Sequence, residues 1–253
     1  MRIEVLGCSG GMGDGRHTTS YRVDDDILVD AGTGLTTLSR DVIRGIDHVF
    51  VTHAHLDHVL CLPLLLDSVA GERERPVTVH AIPEVIEILK AHLFNWRLWP
   101  DFAVLPTQAA PFLRYEPVQV GVPVRMGSRE FTPVPAIHVV PAVGYLMRGE
   151  RGSYLFSGDT THNPKLWSIA NATPDLLHVG VECSFQDSEM ELAISSKHYC
   201  PKMLASDLAG LRRDVQVWIT HLKPGYEDGI LAELAQDARH DYQALTPGQV
   251  LEV

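Results

Sequence analysis

Short alternating and fully apolar runs predict a first group of strands and helices. Strands are predicted at "RIEVLG", "YRVDDDILVDAG", "HVFVTH" and "VTVHA", with "DDD" as a hairpin turn. "HVLCLPLLLDSVAG" predicts a mostly apolar helix that ends at Gly71, and "PEVIEILKAHLF" predicts a helix with Pro83 in its first turn. The first part of the chain therefore reads as strands followed by helices.

The rest of the chain repeats this plan. Strands are predicted at 118–126, 129–138, 142–149, 152–160, 176–184, 215–224 and the C-terminus, and helices at 163–172, 200–213 and 228–239. We expect an α/β fold of sheets covered by helices, in one domain 1–253 made of two similar halves, about 1–118 and 119–253.

The composition limits which kinds of partner and which cellular compartment we expect for the protein. The formal net charge of −11 disfavours a nucleic acid held mainly by phosphate contacts, although a local cationic site could still bind a small anion. The first residues lack a basic leader with an apolar core, and no apolar run approaches the roughly 20 residues that span a bilayer. Four scattered cysteines predict reduced, buried thiols. We expect a cytoplasmic protein without a membrane partner.

The stretch "THAHLDH" concentrates four ionisable side chains directly after an apolar strand. His53, His55, Asp57 and His58 stand within six residues. Imidazole nitrogens and carboxylate oxygens are the ligands of catalytic zinc, manganese or iron. The density of the cluster favours a metal site over four separate core histidines.

Three more such side chains stand at the ends of predicted strands. "PAIH" ends in His138, "YLFSGDT" contains Asp159, and "VWITH" ends in His221. Four ligands from one loop cannot all reach a single ion with good geometry. The pattern therefore predicts a site for two divalent metal ions, with zinc as the first choice and manganese or iron as alternatives.

This ordered set resembles the metallo-β-lactamase superfamily over essentially the whole chain. The resemblance implies a four-layer αβ/βα sandwich with the metals at the rim between its two sheets. It implies His53, His55 and His138 at the first metal, Asp57, His58 and His221 at the second, and Asp159 between them. "THAHLDHVLCLPLLLDSV" and "LFSGDT" are similar to class II cyclic-nucleotide phosphodiesterases. A homodimer is also implied by the resemblance alone.

The related ribonuclease Z branch implies two further residues. "VGVECSF" matches its Glu motif at Glu182, and "SSKHYCP" matches a His-bearing loop at His198. We expect a hydroxide shared by the metals as nucleophile, oriented by Asp57. His198, tuned by Glu182, would protonate the leaving oxygen. Asp30 is expected either beside a metal-bound His or as a helix N-cap.

The leading hypothesis is hydrolysis of a small phosphodiester, a 3',5'-cyclic nucleotide such as cAMP or cGMP, to the nucleoside monophosphate. A ribonuclease Z-type tRNA 3' processing nuclease and a thioester, lactone or β-lactam hydrolase share the ligand set and stay open. Two segments are ambiguous. The aromatic residues of 93–117 could pack in a core, stack on a substrate or contact a subunit. The glycine-rich loop "GCSGGMGDGRHTTS" could turn tightly beside the metals or bind an anion.

Overall fold

The computed structural model describes all 253 residues, whose strands form two large sheets and one small hairpin. In the first part of the chain they are β1 (Arg2–Gly7), β2 (Ser20–Val23), β3 (Ile27–Val29), β4 (His48–Phe50), β5 (Val77–Ala81), β6 (Pro106–Thr107), β7 (Ala110–Pro111) and β8 (Leu113–Pro117). In the second part they are β9 (Val124–Met126), β10 (Arg129–Pro135), β11 (Val143–Arg148), β12 (Ser153–Phe156), β13 (Leu176–Glu182), β14 (Gln216–Thr220), β15 (Tyr242–Ala244) and β16 (Val250–Glu252).

Each large sheet has seven strands and mixed pairing. The first has the order β16-β1-β2-β3-β4-β5-β8, and its strands from β3 to β8 are parallel. The second has the order β15-β14-β13-β12-β11-β10-β9, and its strands from β12 to β15 are parallel. The carboxyl ends of these parallel strands supply the loops of the functional rim described below.

Helices cover the outer face of each sheet. They are α1 (Arg40–Gly45), α2 (Leu56–Val59), α3 (Leu62–Val69), α4 (Pro83–Ile88), α5 (Pro164–Ala172), α6 (Met190–Ser196), α7 (Pro201–Asp207) and α8 (Glu227–Leu234). Helix α3 buries Leu62, Leu65, Leu66 and Val69, which is the spacing of a single helix face. None of the helices is long and apolar enough to cross a membrane.

Three apolar clusters define four layers. The central cluster lies between the sheets, where Phe50 of the first sheet stacks on Phe131 of the second with ring centroids 4.3 Å apart. One outer cluster packs the first sheet against α3 and α4, and the other packs the second sheet against α5, α7 and α8. This arrangement confirms the predicted αβ/βα sandwich.

Some details differ from the sequence prediction. The apolar helix predicted from 58 to 71 is two helices, α2 and α3, because the chain turns at Leu60 and Cys61 before Pro63 in the first turn of α3. Strand β16 pairs with β1 in the first sheet. Residues 250–252 therefore belong to the sheet of the first half, although they follow residue 119 in sequence. Helices α1 and α6 were not predicted.

Candidate metal centre

The predicted site residues meet at one rim of the sandwich. Each follows a strand: the 53–58 cluster follows β4, His138 follows β10, Asp159 follows β12 and His221 follows β14. These strands come from both sheets and deliver their carboxyl ends to the same edge. Most of these side chains are buried, and His55 and Asp57 are half-buried.

One group of ligand atoms brings together three imidazoles. The Nδ1 atom of His55 lies 3.1 Å from Nε2 of His53 and 3.2 Å from Nε2 of His138. An oxygen of Asp159 lies 3.6 Å from Nε2 of His53. All four side chains offer a ligand atom within 4.8 Å of the others.

A second group shares the same Asp159 oxygen. Nε2 of His221 lies 3.2 Å from Oδ2 of Asp159 and 3.2 Å from Oδ2 of Asp57. Nε2 of His58 lies 3.4 Å from the Asp159 oxygen and 3.8 Å from the Asp57 oxygen. Asp159 therefore stands between the two groups.

Both groups fit a divalent metal ion. Ligand atoms about 2.0–2.1 Å from a tetrahedral zinc lie roughly 3.3 Å from one another, which is close to the separations found here. Nε2 of His58 is buried and has no hydrogen-bond partner, as expected for a nitrogen that keeps its lone pair for an ion. The carboxylates supply negative charge, and the imidazoles supply neutral ligands.

A buried carboxylate fixes the orientation of two of these imidazoles. Oδ2 of Asp30 accepts from Nδ1 of His58 at 2.7 Å and from the hydroxyl of Thr52 at 2.8 Å. Because that hydroxyl gives its proton to Asp30, it accepts from Nδ1 of His53, 3.0 Å away. In the neutral imidazoles, which are the form that binds a metal ion, Nε2 is thereby free of hydrogen and directed at the site. Asp30 is fully buried and holds these side chains instead of capping a helix.

His138 is held by the backbone of the loop that precedes His198. Its Nδ1 donates to the carbonyl oxygen of Lys197 at 3.2 Å, and the Lys197 ammonium donates to the carbonyl oxygen of His138 at 2.9 Å. Lys197 has a φ of +56°, which turns its carbonyl out of helix α6. The reciprocal pair directs Nε2 of His138 toward His55.

The two aspartates are held ionised by their surroundings. Burial favours the neutral acid of Asp159, but the imidazoles of His221 and His58 outweigh it and hold its pKa well below the ordinary value. Burial is likewise outweighed at Asp57, where the neighbouring imidazole of His221 lowers the pKa. Ionised carboxylates are the form that binds a cation.

Glu182 and His198 form a buried pair beside the second group. Nδ1 of His198 lies 2.7 Å from Oε1 of Glu182, and the His198 ring stacks on that of His221 with centroids 5.3 Å apart. Burial lowers the pKa of His198, but the Glu182 carboxylate outweighs burial and raises that pKa above the ordinary value. The pair suits proton donation by Nε2 of His198.

The glycine-rich loop packs directly on His221. A Cβ atom at Gly10 would lie 2.6 Å from the carbonyl oxygen of His221 and 2.8 Å from its Nδ1. His221 itself has a φ of +58°, and its N–H donates to the carbonyl oxygen of Cys8 at 2.7 Å. The loop thus approaches the imidazole as closely as glycine allows.

A family model described as "Beta-lactamase superfamily domain" matches residues 25–222, which include every residue of both ligand groups. The chain belongs to the metallo-β-lactamase superfamily. Its fold agrees with solved members: unliganded yeast PDE1 superposes with a TM-score of 0.84 at 19% identity, over 100% of this chain and 99% of that one.

Sequence relatives from this superfamily act on phosphodiesters by name. A 3',5'-cyclic-nucleotide phosphodiesterase of Schizosaccharomyces pombe is 26% identical over 203 residues, which are 68% of this chain and 56% of that protein. A ribonuclease Z of Haloarcula marismortui is 40% identical over 90 residues, 32% of this chain and 28% of that protein. The matched regions thus span roughly a quarter to just over half of these relatives' lengths.

The aromatic segment 93–117 mostly serves packing in this superfamily member. Phe94 and Phe102 are buried in the outer cluster of the first sheet, and Trp99, Phe112 and Tyr115 pack against it. Trp96 is the exception, with 62% of its surface exposed. The core interpretation of the segment therefore holds for most of its rings.

Four residues near the site were missed by sequence reasoning. They are Thr52, Ser184, Lys197 and Phe185, whose ring lies 5.8 Å from that of His198. Each lies within three residues of a predicted site residue, and that proximity in sequence was the only available signal. His162, three residues after Asp159, does not join the site, because its side chain is exposed and hydrogen-bonded to Asp207.

Proposed function

We propose that the protein is a metal-dependent phosphodiesterase that hydrolyses a small phosphodiester, with a 3',5'-cyclic nucleotide as the first candidate and a nucleoside monophosphate as product. The Glu182–His198 pair beside the two ligand groups is the observation that carries the proposal. The activity named for the fission yeast relative supports the substrate class.

The metals would be held by the two groups already described, with Asp159 shared by both. Two divalent ions, zinc by preference, would supply Lewis-acid stabilisation of the developing negative charge and a lowered pKa for water. Asp57 is the most exposed carboxylate of the two groups, with 30% of its side chain accessible. We assign to it the orientation of the attacking water's proton.

We assign to His198 the protonation that completes the reaction. As a new oxygen–phosphorus bond forms, the ester bond on the opposite side of phosphorus breaks. An alkoxide leaving group such as a ribose oxygen is strongly basic and needs a proton as it departs. Nδ1 of His198 is occupied by Glu182, so Nε2 carries the proton to that oxygen.

The rim also offers contacts for a nucleotide base. Phe185 stands beside His198, and the exposed side chains of Leu56, Ile137 and Val139 are neighbours in sequence of His55 and His138. An aromatic ring and apolar side chains next to a charged centre suit a planar heterocycle attached to a phosphate.

A ribonuclease Z-type nuclease is the second candidate, since a relative of that name matches at 40% identity over part of the chain. It would use the same ligands. The net charge of −11 counts against it, because RNA binding depends on many phosphate contacts.

A substrate panel tests the proposal. Cyclic AMP, cyclic GMP, a precursor tRNA and a thioester are each incubated with metal-loaded and metal-stripped protein, and products are identified by mass spectrometry. Metal-dependent release of a nucleoside monophosphate is expected. Cleavage of the tRNA alone would favour the second candidate, and thioester cleavage alone would contradict both.

We also propose a cytoplasmic, homodimeric protein. The four cysteines are buried and free, which is compatible with a reducing compartment. Size-exclusion chromatography with light scattering tests the dimer.

A further inference from the structure

Ser184 connects the Glu182–His198 pair to the metal-ligand group. Its side chain is fully buried. Its hydroxyl oxygen lies 3.0 Å from Oε2 of Glu182 and 3.0 Å from Nδ1 of His221. The sequence motifs gave roles to Glu182 and His198 but none to Ser184.

The direction of both hydrogen bonds follows from counting protons. A hydroxyl has one proton, and two acceptors lie within reach of it, the carbonyl oxygen of His221 at 3.3 Å and the Glu182 carboxylate at 3.0 Å. The carboxylate is nearer and charged, so Ser184 donates to Glu182. The Ser184 oxygen must then accept from Nδ1–H of His221. The proton of His221 is thereby placed on Nδ1, and Nε2 keeps its lone pair toward Asp57 and Asp159.

The other side of the rim contains the same arrangement built from different residues. Asp30 binds His58 directly and reaches His53 through the hydroxyl of Thr52. Glu182 binds His198 directly and reaches His221 through the hydroxyl of Ser184. Each sheet therefore contributes one buried carboxylate and one hydroxyl that together orient two imidazoles.

We propose that Ser184 is a positioning residue that fixes the tautomer and direction of His221 and transmits to it the negative charge of Glu182. This inference rests on the proposed function only in taking His221 as a ligand of a metal ion. Hydrogen bonds of this kind raise the basicity of an imidazole ligand and commonly contribute 10- to 100-fold to metal affinity.

Removal of the hydroxyl would leave the proton-donating pair in place. Glu182 would keep the bond from Nδ1 of His198 and those from the backbone N–H groups of Thr160, at 3.0 Å, and Tyr199, at 3.3 Å. His221 would lose the partner of its Nδ1. The effect of Ser184→Ala should therefore fall on the second ligand group and spare the first.

Metal affinity gives a readout that is independent of catalysis. Stripped wild type, Ser184→Ala, Ser184→Thr and Ser153→Ala are titrated with zinc in competition with a chromophoric chelator, and the stoichiometry is checked by elemental analysis. Ser153 is the matched control, since its buried hydroxyl also donates to a carboxylate, that of Asp175 at 3.0 Å, far from the rim.

We expect Ser184→Ala to bind one of its two zinc ions roughly 10- to 100-fold more weakly and the other zinc ion with unchanged affinity. Ser184→Thr should restore the affinity to within about 3-fold of the wild type, since it returns the hydroxyl. Ser153→Ala should match the wild type. Wild-type affinity in Ser184→Ala, equal weakening of both equivalents, or no recovery in Ser184→Thr would each overturn the proposal.

The same titration separates this inference from the proposed function. A wild type that binds two ions but cleaves no phosphodiester would refute the phosphodiesterase and leave the role of Ser184 measurable. A wild type that takes up neither zinc nor manganese nor iron would refute both.

Discussion

Nδ1 of His198 lies 2.7 Å from a carboxylate oxygen of Glu182, a buried side chain whose charge has no arginine or lysine partner. The imidazole is therefore the cation that this anion stabilises. Such a pair is costly to bury unless both members are used or well bonded, and Glu182 also accepts three further hydrogen bonds. The arrangement explains why we assign proton donation to this histidine.

His198→Ala should reduce activity according to the basicity of the leaving group. With a cyclic nucleotide or an alkyl ester we expect kcat/KM to fall about 10²- to 10⁴-fold, whereas an activated p-nitrophenyl ester should lose less than roughly 10-fold. Steady-state kinetics on both substrates checks this. His162→Ala, an exposed histidine that bonds to Asp207, is the control and should behave as the wild type. Equal losses on the two esters would remove the proton-donating role.

Asp159→Asn should disable both metal-ligand groups at once. One of its oxygens lies within 3.6 Å of nitrogen atoms of His53, His58 and His221, and an amide supplies no negative charge to an ion. We expect fewer than two metal equivalents by elemental analysis and at least about a 100-fold fall in kcat. Asp175 forms a salt bridge with Arg148 that is remote from the rim, so Asp175→Asn should keep the metal content and the kcat of the wild type. Full metal content in Asp159→Asn would contradict the shared-ligand assignment.

Gly10→Ala should displace His221 or the loop that covers it. The added methyl would lie 2.6–2.8 Å from His221 atoms, inside normal contact distance. We expect a loss of about 1–3 kcal/mol in the free energy of unfolding and weaker binding of one metal equivalent. Gly71→Ala adds a methyl where no atom lies within 4 Å, so it should change neither the free energy of unfolding nor metal binding. Denaturant unfolding and metal titration of both variants test the contact.

His80 should make the folded state less stable in acid. It is buried against Phe50, and burial, with a smaller contribution from His48, lowers its pKa to about 4. Because the unfolded chain titrates near 6.5, it takes up a proton that the folded state does not bind as the pH falls from 6.5 to 4. Stability should decline over that window by about 3 kcal/mol at most.

His80→Gln should flatten this part of the curve, since glutamine stays neutral throughout. The free energy of unfolding of wild type and variant is compared between pH 7.5 and 4, where losses common to both cancel. The exposed His92→Gln should follow the wild type. A wild-type slope in His80→Gln would show that His80 takes up its proton over the same pH range in the folded and the unfolded state.

The sequence was most informative where chemistry and periodicity coincided. The cluster from His53 to His58, and the isolated His138, Asp159 and His221, stood at strand ends, and parallel strands place such ends at one rim. The order of strands and helices predicted sheets covered by helices, and the resemblance to the metallo-β-lactamase superfamily implied the four layers. These predictions needed no knowledge of tertiary contacts.

Other features depend on contacts distant in sequence. The pairing of Thr52 with Asp30, 22 residues apart, and of Ser184 with His221, 37 apart, leaves no local pattern. Helix α6 was missed because "SEMELAISS" has a weak apolar face, and only Ala193 of that helix is buried. Strand β16 pairs with β1 at the opposite end of the chain, which no local reading reveals.

That last pairing sets an order on folding. Strand β1 has antiparallel partners on both sides, residues 20–23 and residues 250–252. During synthesis its outer edge stays open until residues 250–252 emerge, about 240 residues after β1 itself. We therefore expect truncation just before residue 250 to promote aggregation, because an unpaired edge can recruit strands from other molecules.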